Sequence, residues 1–98
     1  MITVHFFKEN RGVRISGHSG YSEEGSDIVC ASVSSAVYMV ANTLTEIIKA
    51  DADIKVDDGF MEIKLIETTK ETDILFDGLK LHISQLSEQY PDYVIKED

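Results

Sequence analysis

His18 and Cys30, the chain's only cysteine, flank a polar, glycine-bearing loop that runs into an apolar helix. A thiol nucleophile needs such an arrangement. The thiolate attacks and the thiol does not, so a reactive cysteine requires a base beside it and a field that favours its anion. The imidazole of His18 is the base if the loop folds back towards the helix. The expected helix start is the field, because unpaired backbone amides and the positive end of the helix dipole gather there. Asp27 or Ser26 can act as N-cap, and with Asp27 in that place Cys30 is the third residue of the first turn. The same amides can then hold the oxyanion that forms when a carbonyl is attacked.

Asp27 has two readings. As a cap it stabilises the helix; turned towards His18 it orients the imidazole as a third catalytic member. Cys30 likewise has a plainer reading, as a small inert residue on the buried face of a helix. Gly17 and Gly20 are then ordinary turn residues and Tyr21 a lid over the core. A metal is the weakest reading, since one cysteine and one histidine lack a ligand set. No metal and no cofactor is expected. His5, in a strand, and His82, in a helix, read as structural.

The elements that must position these groups follow from periodicity. Ile2–Phe7 is β-branched and aromatic, and Val13–Ser16 alternates; both read as strands joined by a turn at Asn10–Gly12. Gly17–Ser26 lacks periodicity and reads as a loop long enough to carry function. Ile28 to about Ala50 is helical and apolar on nearly every side in its first half, so a second helix or subunit must cover what a sheet leaves bare. Ile54–Val56 and Phe60–Leu65 flank Asp57-Asp58-Gly59, a tight hairpin turn with positive φ angles. Thr69–Tyr90 carries Ile74, Leu75, Leu79, His82, Ile83, Leu86 and Tyr90 at helical spacing. Gly78 in its middle points to close packing, Pro91 ends it, and Tyr93–Ile95 reads as a last strand. The order is ββαββαβ, which describes an α+β two-layer domain over residues 1–98: a mostly antiparallel sheet with two helices on one face.

Composition narrows the function classes. At 98 residues, with 43% hydrophobic side chains, the chain can build one core. A net charge of −9 argues against unspecific nucleic-acid binding, which needs cations, and is more compatible with a basic partner. The longest continuous apolar run, Ala36–Ala41, is far short of the roughly 20 residues of a membrane span, so no membrane partner is expected. A lone cysteine without a leader segment points to a cytoplasmic chain whose thiol stays free.

Gly17-His18-Ser19-Gly20-Tyr21, then Gly25 and Asp27-Ile28-Val29-Cys30-Ala31, resembles the ribosomal-processing cysteine protease family Prp. Ser19 departs from the alanine frequent there, and a small residue is kept. The resemblance implies His18 and Cys30 as the catalytic pair, with Asp27 matching an aspartate near them. It implies a homodimeric cytoplasmic enzyme that removes the N-terminal extension of a large-subunit ribosomal protein (the L-twenty-seven family), after a motif containing Phe-Phe. The loop residues Gly17, Ser19, Gly20, Tyr21, Glu23 and Glu24 then line the substrate, the two glutamates facing its basic residues. A homodimer accounts for the surplus apolar surface of the first helix. Tyr21, Tyr38 and Phe6 are candidates to line a Phe pocket or to belong to the core. Two other readings compete: a non-catalytic ribosome-associated module that holds a basic peptide, and a redox-sensing thiol, which lacks a resolving cysteine.

Overall fold

The computed structural model describes the backbone of residues 1–17 and 24–97 and the side chains of residues 1–17 and 28–97. Five strands form one sheet in the order β3-β4-β2-β1-β5. They are β1 (Ile2–Phe6), β2 (Gly12–Ser16), β3 (Ala52–Asp57), β4 (Phe60–Leu65) and β5 (Val94–Glu97). Neighbours are antiparallel except β1 and β5, which run parallel with Ile2 opposite Val94. Two helices, α1 (Glu24–Asn42) and α2 (Lys70–Gln89), pack on one face. The element order ββαββαβ and the two-layer, mostly antiparallel arrangement are those expected from the sequence.

Alternation decides which face is covered. Ile2, Val4 and Phe6 of β1, Val13 of β2, and Met61, Ile63 and Leu65 of β4 are all buried under the helices. The intervening residues form the other face. There Glu62 is only 8% exposed, with Lys64 Nζ at 3.6 Å and Arg14 Nη1 at 3.9 Å from its carboxylate. His5 belongs to this face too, its Nδ1 3.7 Å from Glu97 Oε1 across the β1–β5 pair and its ring edge-on to Phe7.

Helix α1 lays Val29, Val33, Val37 and Val40 onto the sheet, a stripe at four-and-three spacing that is almost completely buried. Each such side chain contributes about 1.5–3 kcal/mol by leaving water. Beyond Asn42 the coil widens into a π-helical turn, Thr43–Ile48. The hydroxyls of Thr43 and Thr45 bond back to the carbonyls of Met39 (2.7 Å) and Ala41 (3.1 Å) there, a pattern that bends helices. Lys49, at φ 58°, then turns the chain away, about where the periodicity placed the end of the helix. From Ile28 to Ile48 the mean hydropathy is 1.5, so this stretch is long and apolar enough to cross a membrane by length and composition. That differs from the reading based on continuous apolar runs, because the small and hydroxyl residues between the valines lower hydropathy only slightly. Its valine stripe is sunk against the sheet as a core helix.

Helix α2 begins with reciprocal capping. The Thr69 amide donates to Thr72 Oγ1 at 2.8 Å, and the Thr72 amide donates to Thr69 Oγ1 at 3.2 Å. Phe76, Leu79, Ile83 and Leu86 form its buried stripe. Two expectations fail on this helix. A Cβ at Gly78 would meet nothing within 4 Å, so the glycine opens space instead of allowing close packing. His82 is exposed, not structural core. Both lie on the side of α2 that the sheet does not reach.

The hairpin turn demands less of its backbone than expected. Of its two central residues only Gly59 has a positive φ, 68°; Asp58 does not. One left-handed residue therefore suffices to reverse the chain here.

Candidate active site

Helix α1 is already helical at Glu24, earlier than the sequence indicates, and this changes the setting of Cys30. Glu24-Gly25-Ser26-Asp27 has no apolar periodicity and contains a glycine, so pattern alone reads it as loop. In the structure these residues already belong to the helix. Neither Ser26 nor Asp27 is the N-cap, and Cys30 is the seventh helical residue, not the third of the first turn. At 1.5 Å rise per residue the helix start is about 9 Å below it. The free amides of the first turn therefore do not flank the thiol, and the dipole effect fades within that turn.

What the fold does place around Cys30 is a cavity of about 190 Å³ between α1, the ends of β1 and β2, and the tip of the β3–β4 hairpin. Cys30 is half-buried on its wall, packed against the core. Ser34 and Tyr38 follow it at one-turn intervals on the same side of the helix, and Ile2, Ile15 and Met61 make the apolar floor. The hairpin contributes Val56, Asp57, Gly59 and Phe60. The carboxylate of Asp57 accepts the Asp58 amide at 2.8 Å, which holds the turn.

Gly17 lines the same cavity. It has φ +92°, and a Cβ there would run into the carbonyl of Met1. Its amide donates to the Gly59 carbonyl at 2.9 Å. Only glycine takes this conformation without strain while letting two backbones approach so closely. The residue that carries His18 on its carboxyl side is thus pinned in the wall that contains Cys30.

Of the residues singled out in the sequence, then, Gly17 and Cys30 come together in one cavity. His18, Ser19, Gly20, Tyr21 and Glu23 lie outside the described residues, and so do the side chains of Glu24 and Asp27, whose backbones are helical. Tyr38 stands at the cavity with 47% of its surface exposed, whereas Phe6 is core. Ile2, Ser34, Val56 and Asp57 were not foreseen. The spacing of Cys30, Ser34 and Tyr38 was a usable signal; the approach of the hairpin tip, so far along the chain, was not.

A larger groove, about 740 Å³, runs between α1 and α2 and is lined by Ser32, Met39, Ile74, Gly78 and His82 among others. It holds an imidazole but no thiol or carboxylate; the thiol lines the smaller cavity. Among the described residues no three His, Cys, Asp or Glu side chains cluster to hold a metal ion.

Comparison with known proteins gives the family and the fold. A family model described as cysteine protease Prp matches residues 1–95. A curated relative, the ribosomal processing cysteine protease Prp of Staphylococcus aureus (strain NCTC 8325 / PS 47), is 27% identical over 101 residues, which span 96% of this chain and 95% of the relative. The crystal structure of SMU.848 from Streptococcus mutans is 31% identical with a TM-score of 0.82, covering 98% of this chain and 90% of that one. The essential ribosomal processing protease Prp from S. aureus, in complex with a covalently linked product peptide, is 25% identical with a TM-score of 0.85 and covers 99% and 98%.

Proposed function

This chain belongs to the cysteine protease Prp family, and on that premise we propose that it removes the N-terminal extension of a large-subunit ribosomal protein of the L-twenty-seven family, in the cytoplasm. The supporting observation is the shared cavity: Cys30 lines it, and so does Gly17, the residue peptide-bonded to His18. The curated S. aureus relative carries the ribosomal processing activity in its name.

In this reading Cys30 gives its proton to His18 and its sulfur attacks the scissile carbonyl carbon. The C–N bond breaks as His18 returns the proton to the leaving amine, and the N-terminal fragment remains as a thioester. Water then attacks the thioester, His18 takes the water proton, and the C–S bond breaks to release the acid and restore the thiol. The cavity beside Cys30 is mostly apolar, which suits a Phe side chain of the processing motif. Glu23 and Glu24 receive basic residues near the cut, in keeping with the net charge of −9. Asp27 serves as the third member that orients His18.

The enzyme works as a homodimer through the α1–α2 groove. Met39 (58%) and Ile74 (63%) leave apolar surface exposed there. Met39→Asp is expected to convert a dimer to a monomer in sedimentation analysis; a wild-type monomer removes the idea.

One experiment tests the protease reading. A peptide with the Phe-Phe motif is incubated with wild type, Cys30→Ala and His18→Ala. Cleavage by the wild type alone is expected, and cleavage that survives in Cys30→Ala overturns the assignment. Charge reversal of Glu23 and Glu24 is expected to raise KM for a basic peptide several-fold.

A further inference from the structure

Strand β3 is the outermost strand at one side of the sheet, and among the described residues no strand lies beyond it. Its hydrogen-bonding phase is fixed by one contact: the Ile66 amide donates to the Asp51 carbonyl at 3.0 Å. In an antiparallel ladder the residues that bond to the partner strand recur at every second position. Asp51, Asp53, Lys55 and Asp57 therefore turn their amides and carbonyls to β4. Ala52, Ile54 and Val56 turn theirs outward, along the free edge.

That edge leads into the cavity of the thiol. Val56 lines the cavity with Cys30 and is 56% exposed, and Tyr38 faces it from α1 with 47% of its surface open. A strand laid beside β3 would place every second side chain on the face that Ile54 and Val56 share, under the exposed flank of α1, because paired strands keep their side chains on common faces. A bare edge of this kind otherwise invites aggregation. Its exposed Asp53 and Asp57 side chains repel other copies of this acidic protein, exposed Lys55 keeps the edge solvated, and the outward backbone groups stay free.

We propose that the main chain of the peptide substrate docks as an added strand on the free edge of β3, bonded by the outward amides and carbonyls of Ile54 and Val56, so that an extended segment is led past Cys30. The proposal rests on the protease reading for the identity of the peptide. It adds that recognition is partly by backbone, so the substrate must be extended and its sequence is read at alternate residues only.

Proline tests this at one atom. At position 56 it removes an outward amide and leaves the bonds to β4 intact, the one arrangement in which a strand tolerates proline. Affinity for the Phe-Phe peptide is measured in the Cys30→Ala background, where no cleavage intervenes. Val56→Pro is expected to bind about tenfold more weakly than Val56→Ala, about 1.4 kcal/mol. Methylating the peptide amides one at a time is expected to weaken binding with a period of two. Equal affinities for the two variants with a flat methylation profile overturn the proposal, as does a peptide that does not bind. If Val56→Pro fails to fold, the methylation profile alone decides. An alternating profile in a chain whose wild type does not cut the peptide keeps the docking edge and removes the protease reading; cleavage with a flat profile does the reverse.

Discussion

The amide of Gly17 donates to the carbonyl of Gly59 at 2.9 Å, joining the end of β2 to the turn between β3 and β4. Two glycines meet here because each has a positive φ, +92° and +68°, and because the Met1 carbonyl lies where a Gly17 side chain would go. The junction closes the cavity of Cys30 on the side from which the chain runs to His18.

Gly17→Ala is therefore expected to lose stability and activity together. Forcing a side chain into this backbone region costs on the order of 1–3 kcal/mol, read as a fall in Tm of several degrees. Cleavage measured well below the new Tm is expected to fall by a larger factor than the unfolded fraction explains. Wild-type kcat/KM in a folded Gly17→Ala protein would show that the junction does not set the site.

Helix α2 offers two substitutions of opposite sign. Thr69→Ala removes the acceptor of the Thr72 amide and is expected to destabilise by about 1 kcal/mol. Within one protomer Gly78→Ala meets no neighbour within 4 Å, and in the monomeric Met39→Asp background it is expected to stabilise by about 0.5–1 kcal/mol through helix propensity. Thermal melts of both variants check the pair; a destabilising Gly78→Ala would mean that another surface closes on this position.

On the uncovered face of the sheet, Glu62 is held between partly exposed cations. Arg14→Met with Lys64→Met removes both partners of Glu62, a residue only 8% exposed in the wild type. Lys55, opposite Glu62 in register, and solvent at the open face limit the loss to about 1–2 kcal/mol. Adding Glu62→Met to that double variant is expected to restore most of the stability, since apolar replacement of such a set is often neutral. Urea titrations read each step, and no recovery would place the effect in packing.

The strands were legible because β1, β2 and β4 alternate strictly and a single covered face fixes their register. Helix α2 was legible from end to end, since Thr69 and Tyr90 stand where its periodicity starts and stops. The start of α1 was not. Glu24-Gly25-Ser26-Asp27 carries no apolar residue, and helical order there does not depend on a buried stripe that a pattern can reveal. The site was half legible: Gly17 and Cys30 share a wall as the motif implied, but Val56 and Asp57 arrive from a hairpin whose sequence carries no mark of that destination. His82 misled because a helical histidine near Leu79, Ile83 and Leu86 resembles a core residue until the groove beside it is seen.

The parallel pairing of β1 with β5 links the earliest strand to the latest. Ile2, part of the cavity floor, donates its amide to the Tyr93 carbonyl at 2.8 Å and lies opposite Val94. During synthesis the bare side of β1 must wait until Val94–Glu97 have left the exit tunnel, and contacts so distant along the chain form slowly. Pairing of β1 on that side is thereby tied to the emergence of residues 94–97, and a shorter nascent copy lacks the strand that backs Ile2 at the cavity floor.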